Sequence, residues 1–483
     1  MGPSVAEGGP ISKFQVPTQP SNDRYWEDPD SWDLIIIGAG ISGCALAHSQ
    51  AKGKKRILVL ERDLSQPDRF VGEFLQPAGI LKLQELGLLH CVEDIDAQKV
   101  KGLCYHFPEK NAYLPYPVHG RCLHHGRFVQ RLRTAAAAHK SVTLRQAVVT
   151  ALLNSEGKAL DAEDAVGGVL YRTTDGVQRR AMASLTVLCD GMHSNLRAKL
   201  GRPDVMCTSP TAAVTVIGCD LGKNRDYVQL YIGEPLLIVY PISSTEVRVM
   251  IGMPGTVKPM ATNGEMRQYL AQTVAPRFHE SLREGFLLAL ETGTVRRLAT
   301  KRLPAGPWQR PGAVIIGDSL NMRHPAGGTG MSVALNDVKL LTEMLEEDMD
   351  FVDREKSVRS RAAFVSRRKA LASTLNMLSN LVYDMFVVKE SNDRGHLLVA
   401  LQGYLMWSEA YRRSLALVSA GLDERPYMIL IHAAGIFAAG AWHLFLSHPS
   451  LRGLGLVLRM LREEGPTLWQ LIMAEGGPLA MIP

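Results

Sequence analysis

Cysteine is scarce in this chain and follows no pairing pattern. The 483 residues hold seven, scattered at positions 44, 91, 104, 122, 189, 207 and 219, with no C-x-x-C. An odd count without characteristic spacing argues against a disulfide framework and gives metal ligation little support. It points instead to reduced, mostly buried thiols in a reducing compartment. A strong charge of one sign is also lacking: 54 Lys and Arg face 48 Asp and Glu, a formal net charge of +6. No Lys/Arg run carries interleaved aromatics, which argues against nucleic acid as a partner. The small basic excess does suit the anionic cytosolic face of a membrane. Residues 1–30 are rich in Pro, Gly, Ser and Asp and lack the apolar core of a signal peptide. They read as a flexible lead-in, with the rest of the chain exposed to the cytosol. There are no internal repeats or low-complexity tracts, and no catalytic triad or metal cluster stands out.

What is present is a core and two glycine motifs. Hydrophobic residues make up 46% and charged residues 21%, as in a globular chain long enough for two or three domains. Residues 33–38 read as a buried strand, 41–51 as a helix opening on a glycine turn, and 56–61 as a second parallel strand. This is a βαβ unit. Gly38-Ala39-Gly40-Ile41-Ser42-Gly43 matches G-x-G-x-x-G. Gly38 permits the turn, Gly40 lets backbone approach a pyrophosphate, and Gly43 lets the helix pack on the strand, whose neighbour carries Glu61 at its end. A carboxylate there accepts hydrogen bonds from ribose hydroxyls and repels a 2′-phosphate, which favours FAD or NAD over NADP at this site. The helix start offers free N–H groups to phosphates.

The second motif, Gly317-Asp-Ser-Leu-Asn-Met-Arg-His-Pro-Ala-Gly-Gly-Thr-Gly-Met331, follows a strand over 313–318. Asp318 can bond ribityl hydroxyls, and the glycine run opens a helix over 330–347 whose N–H groups can face a flavin. A third turn, Cys189-Asp190-Gly191-Met192-His193-Ser194, also ends a strand, read over 184–190. Arg62, Arg69, Arg127 and Arg133 are candidates for phosphate or ring contacts, or for a solvated helix face. His324 is a candidate acid, with a structural histidine the simpler reading.

Between these motifs a helix is expected over 80–89, another over 124–138 and a strand over 142–153. The stretch 205–302 reads as a β-rich, substrate-facing sheet, with strands over 212–220, 228–232, 236–242 and 246–252. Beyond 350 the pattern is helical. Residues 426–446 hold no Asp, Glu, Lys or Arg, close to the roughly 20 residues that cross a bilayer. Arg425 and Arg452 flank them, and Tyr427, Trp442 and Trp469 suit an interface. A span, a hairpin in one leaflet and a buried core helix all fit that composition.

Three strings carry a family likeness: Glu61-Arg-Asp-Leu-Ser-Gln-Pro-Asp-Arg69, Val71-Gly-Glu-Phe-Leu-Gln-Pro77 and Gly317-Asp-x-x-Asn-Met-Arg-His-Pro325. They resemble the squalene monooxygenase (squalene epoxidase) family of FAD-dependent monooxygenases, over about 33–345 and again in the apolar tail. The resemblance implies an α/β fold: a Rossmann-like FAD-binding domain, a β-sheet substrate domain of the hydroxybenzoate-hydroxylase kind and a C-terminal helical membrane-associated region. The expected division is 1–30 flexible, 31–204 FAD-binding with substrate-facing strands near 100–120, 205–305 substrate domain, 306–348 FAD-binding return and 349–483 helical. Implied FAD contacts are Ile41, Ser42, Glu61, Arg62, Arg69, Phe74, Arg133, Val149, Asp318 and Met331, beside the turn glycines Gly38, Gly40 and Gly43. Gln76 is expected at the substrate end of the flavin.

The likeness has two departures. The family's Tyr after the glycine of Val100-Lys-Gly102 is Leu103 here, and Tyr105, on the same strand face, is the expected partial substitute. The family's Leu-Thr-Gly-Gly-Gly is Ala326-Gly-Gly-Thr-Gly330. Gln76, Leu103 and Tyr105 are therefore the residues expected nearest the reaction. The implied reaction is epoxidation of squalene to 2,3-oxidosqualene with O₂, through a flavin C4a-hydroperoxide, in sterol or triterpene biosynthesis. No metal is expected. Electrons are expected from NADPH through a separate reductase of the NADPH-cytochrome P450 reductase type, since no second dinucleotide motif is seen. The implied place is the endoplasmic reticulum membrane, in contact with its lipids and facing the cytosol. Epoxidation of another prenyl polyene and a non-catalytic flavin-binding membrane protein are the alternatives. An aromatic-ring hydroxylase would leave the apolar tail unexplained.

Overall fold

The computed structural model describes residues 31–53, 55–161, 163–202, 205–253, 263–384, 394–447 and 451–477; the expected lead-in over 1–30 lies outside them. The first half runs β1 (Ser31–Ile37), α1 (Ile41–Gln50), β2 (Ile57–Glu61), β3 (Phe74–Leu75), α2 (Pro77–Glu85), β4 (Gln98–His106), β5 (Ala112–Cys122), α3 (His125–Ala137), β6 (Val142–Leu153), β7 (Gly168–Thr173) and β8 (Gln178–Leu188). Next come β9 (Met206–Ile217), β10 (Tyr227–Tyr231), β11 (Leu236–Pro241), β12 (Glu246–Gly252), α4 (Asn263–Tyr269), α5 (Glu280–Thr292), β13 (Arg296–Arg302), β14 (Ala313–Ile315) and α6 (Gly330–Glu346). The tail is α7 (Arg354–Tyr383), α8 (Arg394–Trp407), α9 (Glu409–Ser419), α10 (Tyr427–Ser447) and α11 (Leu451–Ala474).

Two sheets organise these elements. In the first, β6, β2, β1, β8 and β14 pair in parallel, and β7 joins the far halves of β6 and β8 in an antiparallel meander. Leu34 to Ile37 are all buried and pair on both sides, as expected of a strand inside a parallel sheet covered on both faces. The chain leaves this sheet after β8 and rejoins it at β14. The second sheet has the order β13-β9-β12-β11-β10-β4-β5-β3, antiparallel except for β10 beside β4. Its two faces are covered by different elements. One apolar cluster joins it to α4 and α5. Another joins it to α8, α9 and α10. The parallel strand ends and this second face both open on one cavity.

Several boundaries differ from the sequence reading for physical reasons. The helix expected over 80–89 starts at Pro77, whose fixed φ suits the first helical position, and ends before Gly87 at φ +77°. The strand expected over 184–190 reaches back to Gln178, because its first half pairs with β7 rather than β1. The stretch 205–302 is not only β: α4 and α5 cover one of its faces. The tail is helical as expected, but α7 is part of the main body. Its Arg368, 1% exposed, pairs with the fully buried Asp337 of α6 at 2.9 Å.

Candidate active site

The glycine turn after β1 is held from behind. Arg133 on α3 is buried and spends its guanidinium on three carbonyl oxygens: Ala39 at 3.0 Å, Ser65 at 2.8 Å and Asp63 at 3.0 Å. Glu61 accepts from the Ala39 N–H at 2.7 Å and the Asp63 N–H at 3.1 Å. Gly38 and Gly43 lie in close quarters, since a Cβ on Gly43 would run into the Gly38 carbonyl oxygen. Gly40 differs: a Cβ there would meet nothing within 4 Å. The helix start is thus open toward solvent while the rest of the turn is packed shut. Its cap residue, Gly40, supplies no side-chain bond to the first N–H groups, leaving them available to an anion.

The three turns named from sequence meet here. Ser319 donates to Asp190 Oδ1 at 2.7 Å and accepts from the Gly191 N–H at 2.7 Å, tying the third motif to the second. Arg197 adds a bond to the Gly191 carbonyl at 2.6 Å. Burial raises the Asp190 carboxyl above its ordinary value. In the glycine run, Gly328 takes φ +61° and packs under the Phe74 ring, where a Cβ would come within 2.7 Å. Thr329 is buried and its hydroxyl pairs with Ser379 of α7 at 2.8 Å.

A cavity of about 260 Å³ opens beside these turns. Gly40, Ile41, Ser42, Arg69, Asp318 and Met331 line one end; Phe74 and Gln76 stand midway. The rest of the wall is largely apolar: Leu103 and Tyr105 from β4, Val228 and Leu230 from β10, Ile238 and Tyr240 from β11 and Met250 from β12, with Leu378 and Val382 of α7 lining it beside the glycine run. Leu103 and Tyr105 share this face, as strand alternation requires. Six of the implied positions do not line the cavity. Gly38, Gly43 and Arg133 form the back of the turn, and Glu61 sits at the end of β2. Arg62 is exposed beyond it, and Val149 is half-buried on β6. Arg127, on α3, bonds the Ile95 carbonyl at 3.3 Å and does not line the cavity.

Gln76 caps α2 without a side-chain cap bond. Its Nε2 instead donates 2.8 Å to the Gly327 carbonyl, across 251 residues of sequence. His324 is buried, stacks on Tyr383 with ring centroids 4.0 Å apart and accepts from the Ala326 N–H through Nδ1. Burial first, then the Arg302 cation, hold it well below the ordinary histidine value. Its Nδ1 bond caps the turn, while the ring lines the cavity and its Nε2 is buried with no partner among the described residues.

Sequence reasoning missed a buried ion pair in the cavity wall. Glu73, 1% exposed at its side chain, takes bonds from Arg248 at 2.9 and 2.7 Å and from the Tyr240 hydroxyl at 3.3 Å. Arg248 also bonds Thr215. His125, which donates from Nδ1 to the Gly72 carbonyl at 3.0 Å, was missed too. The signal for Glu73 lay within Val71-Gly-Glu-Phe-Leu-Gln-Pro77, a string of apolar residues around one acid. Cys44, Cys91, Cys104, Cys122 and Cys189 are buried and Cys219 is half-buried, and burial pushes Cys44 up to about 12 and Cys91 and Cys104 to about 11, values of inert thiols.

Comparison with known proteins gives these features a context. The family model described as squalene epoxidase matches residues 182–458. Squalene epoxidase 3 of Arabidopsis thaliana is 38% identical over 452 residues, covering 92% of this chain and 85% of the relative. Squalene monooxygenase SE1 of Panax ginseng is 37% identical over 469 residues, covering 95% and 86%. Among solved structures, the flavin-dependent brominase Bmp2 superposes with a TM-score of 0.65 at 16% identity, over 84% of this chain and 98% of its own. The p-nitrophenol 4-monooxygenase PnpA from Pseudomonas putida gives 0.63 at 16% identity, over 81% and 99%. At such identities the structural likeness speaks for the fold.

Proposed function

The chain belongs to the squalene epoxidase family, and from that premise we propose that it is an FAD-dependent monooxygenase converting squalene, O₂, NADPH and a proton to 2,3-oxidosqualene, NADP⁺ and water. The observation that carries the reading is one continuous cavity joining the three glycine turns to an apolar wall. The residues present fit FAD: Gly40 leaves space where a pyrophosphate approaches, and the N–H groups of α1 have no side-chain cap. In this reading Ile41, Ser42 and Arg69 hold the pyrophosphate. Glu61 and Arg62 hold the adenosine end, with Val149 the outermost contact. Asp318 holds the ribityl chain, and Phe74 and Met331 hold the ring. Gly38, Gly43 and Arg133 keep the turn in shape from behind.

FAD, when bound and reduced, supplies O₂ activation and the electrophilic oxygen atom; the chain supplies position and dryness. Leu103, Tyr105 and the residues of β10 to β12 offer an isolated alkene a surface with little to hydrogen-bond. Gln76, fixed on the Gly327 carbonyl, stands between the two ends. The electrons are proposed to come from NADPH through a separate reductase. Among the described residues one helix, α10, is long and apolar enough to cross a membrane, with 33% of its most apolar window buried. That supports membrane association, which we extend to the cytosolic face of the endoplasmic reticulum. Leu103 and the run Ala326–Gly330 keep another prenyl polyene as the second reading. Purified protein with FAD, NADPH, a P450-type reductase and squalene is expected to yield a product heavier by one oxygen. A folded chain that stays colourless with added FAD sinks the proposal; turnover of a different polyene alone selects the second reading.

A further inference from the structure

We propose that His324 is a contact of the flavin ring: its Nε2–H donates a hydrogen bond to an acceptor on the redox-active edge of the ring and steadies the reduced, negatively charged form. The proposal rests on the reading of the cavity as a flavin monooxygenase site. It adds a side chain that none of the implied cofactor contacts includes.

The turn decides where the imidazole keeps its proton. Nδ1 accepts from the Ala326 N–H at 3.2 Å. That bond takes a lone pair, so the proton of the neutral ring sits on Nε2. Burial and the Arg302 cation disfavour a second proton. Three contacts then hold the residue in place. The Ala326 bond fixes one edge of the ring. Tyr383 stacks on one face, with centroids 4.0 Å apart and planes inclined by 25°. The backbone N–H of His324 donates to Asn380 Oδ1 at 3.5 Å. Tyr383 is itself held, with the Arg302 guanidinium 4.4 Å from its ring centroid and Arg302 paired with Asp384 at 2.7 Å. The Nε2–H is thus a donor in a fixed ring, buried and with no acceptor among the described residues.

Its place in the cavity wall points to the acceptor. His324 lines the cavity together with Pro325, Ala326, Gly327, Gly328 and Gly330, the run beside which the flavin ring is read to lie. Its stacking partner Tyr383 belongs to an apolar group with Leu236, Ile238, Ala326 and Val382. His324 therefore stands where the glycine run meets the apolar wall. A buried donor without an acceptor is costly, and an isolated alkene offers it none. The flavin ring carries carbonyl oxygens and ring nitrogens along one edge, and these gain negative charge on reduction. A fixed N–H in a dry site answers that charge without having to reorient.

The test begins with the wild type. In spectra of the ¹⁵N-histidine-labelled apoprotein, the His324 signal, identified by its Overhauser contacts to the Tyr383 ring, is expected to carry its proton on Nε2. That N–H resonance is expected to move when FAD is added. Two variants follow. Asn at this position keeps an oxygen for the Ala326 N–H, as a cap residue does, but has nothing at the place of Nε2; Gln puts an amide nitrogen near it. In the FAD-loaded protein, His324→Asn is expected to lower the equilibrium constant for ring reduction about tenfold, ~30 mV for a two-electron couple, and to shift the flavin absorption band. His324→Gln is expected to recover most of both. A histidine that only caps its turn would change the melting temperature and leave potential and band in place. A proton on Nδ1, an N–H resonance indifferent to bound FAD, or a His324→Asn protein that binds FAD with unchanged potential and band would each overturn the proposal. The first two are read on the wild type and need no variant to fold. A wild-type chain that takes up no FAD would instead overturn the flavin reading on which the proposal rests.

Discussion

Gly40 and Gly43 sit in one short motif yet fail differently when changed. A methyl on Gly43 meets the Gly38 carbonyl, whereas one on Gly40 meets open space. Gly43→Ala is expected to give little folded protein. Gly40→Ala is expected to fold with a melting temperature lower by only a few degrees, since alanine is a poorer N-cap than glycine by about 1 kcal/mol. Its affinity for FAD should drop at least about tenfold, roughly 1.4 kcal/mol, because the methyl occupies the approach of the pyrophosphate. Equal FAD affinities by fluorescence titration would show that the open space is not where the cofactor goes. A second residue carries a pH prediction. Burial, then the Arg69 cation, depress His125 from 6.5 to about 4. The native imidazole is thus neutral where the unfolded one is protonated. Between pH 6.5 and about 4 the unfolded chain binds the extra proton. Stability therefore falls with pH through that window, by about 1.4 kcal/mol per unit for this one site. His125→Asn keeps an N–H for Gly72 and removes the proton uptake, so its melting temperature should fall less steeply from pH 6.5 to 4.5. Parallel curves for the two proteins would rule this out.

At the scale of elements, the buried pair Glu73–Arg248 joins the segment leading into β3, at one edge of the second sheet, to β12 in its interior. Breaking such a pair leaves a charge without compensation, at a cost of about 3–5 kcal/mol. Glu73→Gln should lower stability by about 3 kcal/mol in urea titration, whereas Glu73→Met with Arg248→Met should cost less than either single change. A loss below about 0.5 kcal/mol for Glu73→Gln would mean the pair is not desolvated. This pair also marks where sequence reading stopped. β1, α1, β2 and β12 were legible because each is short, strongly patterned and bounded by turn residues. Arg248, in Glu-Val-Arg-Val-Met-Ile-Gly, reads as the solvent-facing residue of an alternating strand, but it is buried. Alternation fails there because α4 and α5 cover one face of the sheet and the tail helices cover the other. The glycine turns were legible because local backbone geometry demands their residues. Glu73 and Tyr240 were not, because their bonds depend on strands brought together from distant parts of the chain.

At the scale of the molecule, the tail divides in two. If everything beyond 350 were a membrane anchor, a cut there would leave a soluble chain without activity on membrane-borne squalene. The structure argues otherwise, since α7 pairs Arg368 with Asp337, ties Ser379 to Thr329 and lines the cavity through Leu378 and Val382. Such a cut would open the cavity and leave Asp337 buried without its cation. Membrane contact is better tested on the surface of α10 and α11. Trp442 is 60% exposed, Phe445 54% and Trp469 55%, with Leu446, Leu458 and Leu461 also exposed. Apolar side chains so concentrated on neighbouring helices mark an interaction face, and two of them are the aromatic type that favours a lipid interface. None touches the cavity wall, and the helices are held to the body by buried groups such as His432, which bonds Tyr404 at 2.6 Å and Ser414 at 3.2 Å. The triple variant Trp442→Ser, Phe445→Ser, Trp469→Ser is therefore expected to fold and bind FAD as the wild type does. It should float poorly with phosphatidylcholine–phosphatidylserine vesicles, and its turnover of squalene embedded in those vesicles should fall about tenfold or more. With squalene dispersed in detergent, its turnover should stay within about twofold of wild type, because cavity and cofactor are untouched. Equal losses in vesicles and detergent would place these side chains in the fold rather than at the lipid, and unchanged flotation would move the membrane contact elsewhere.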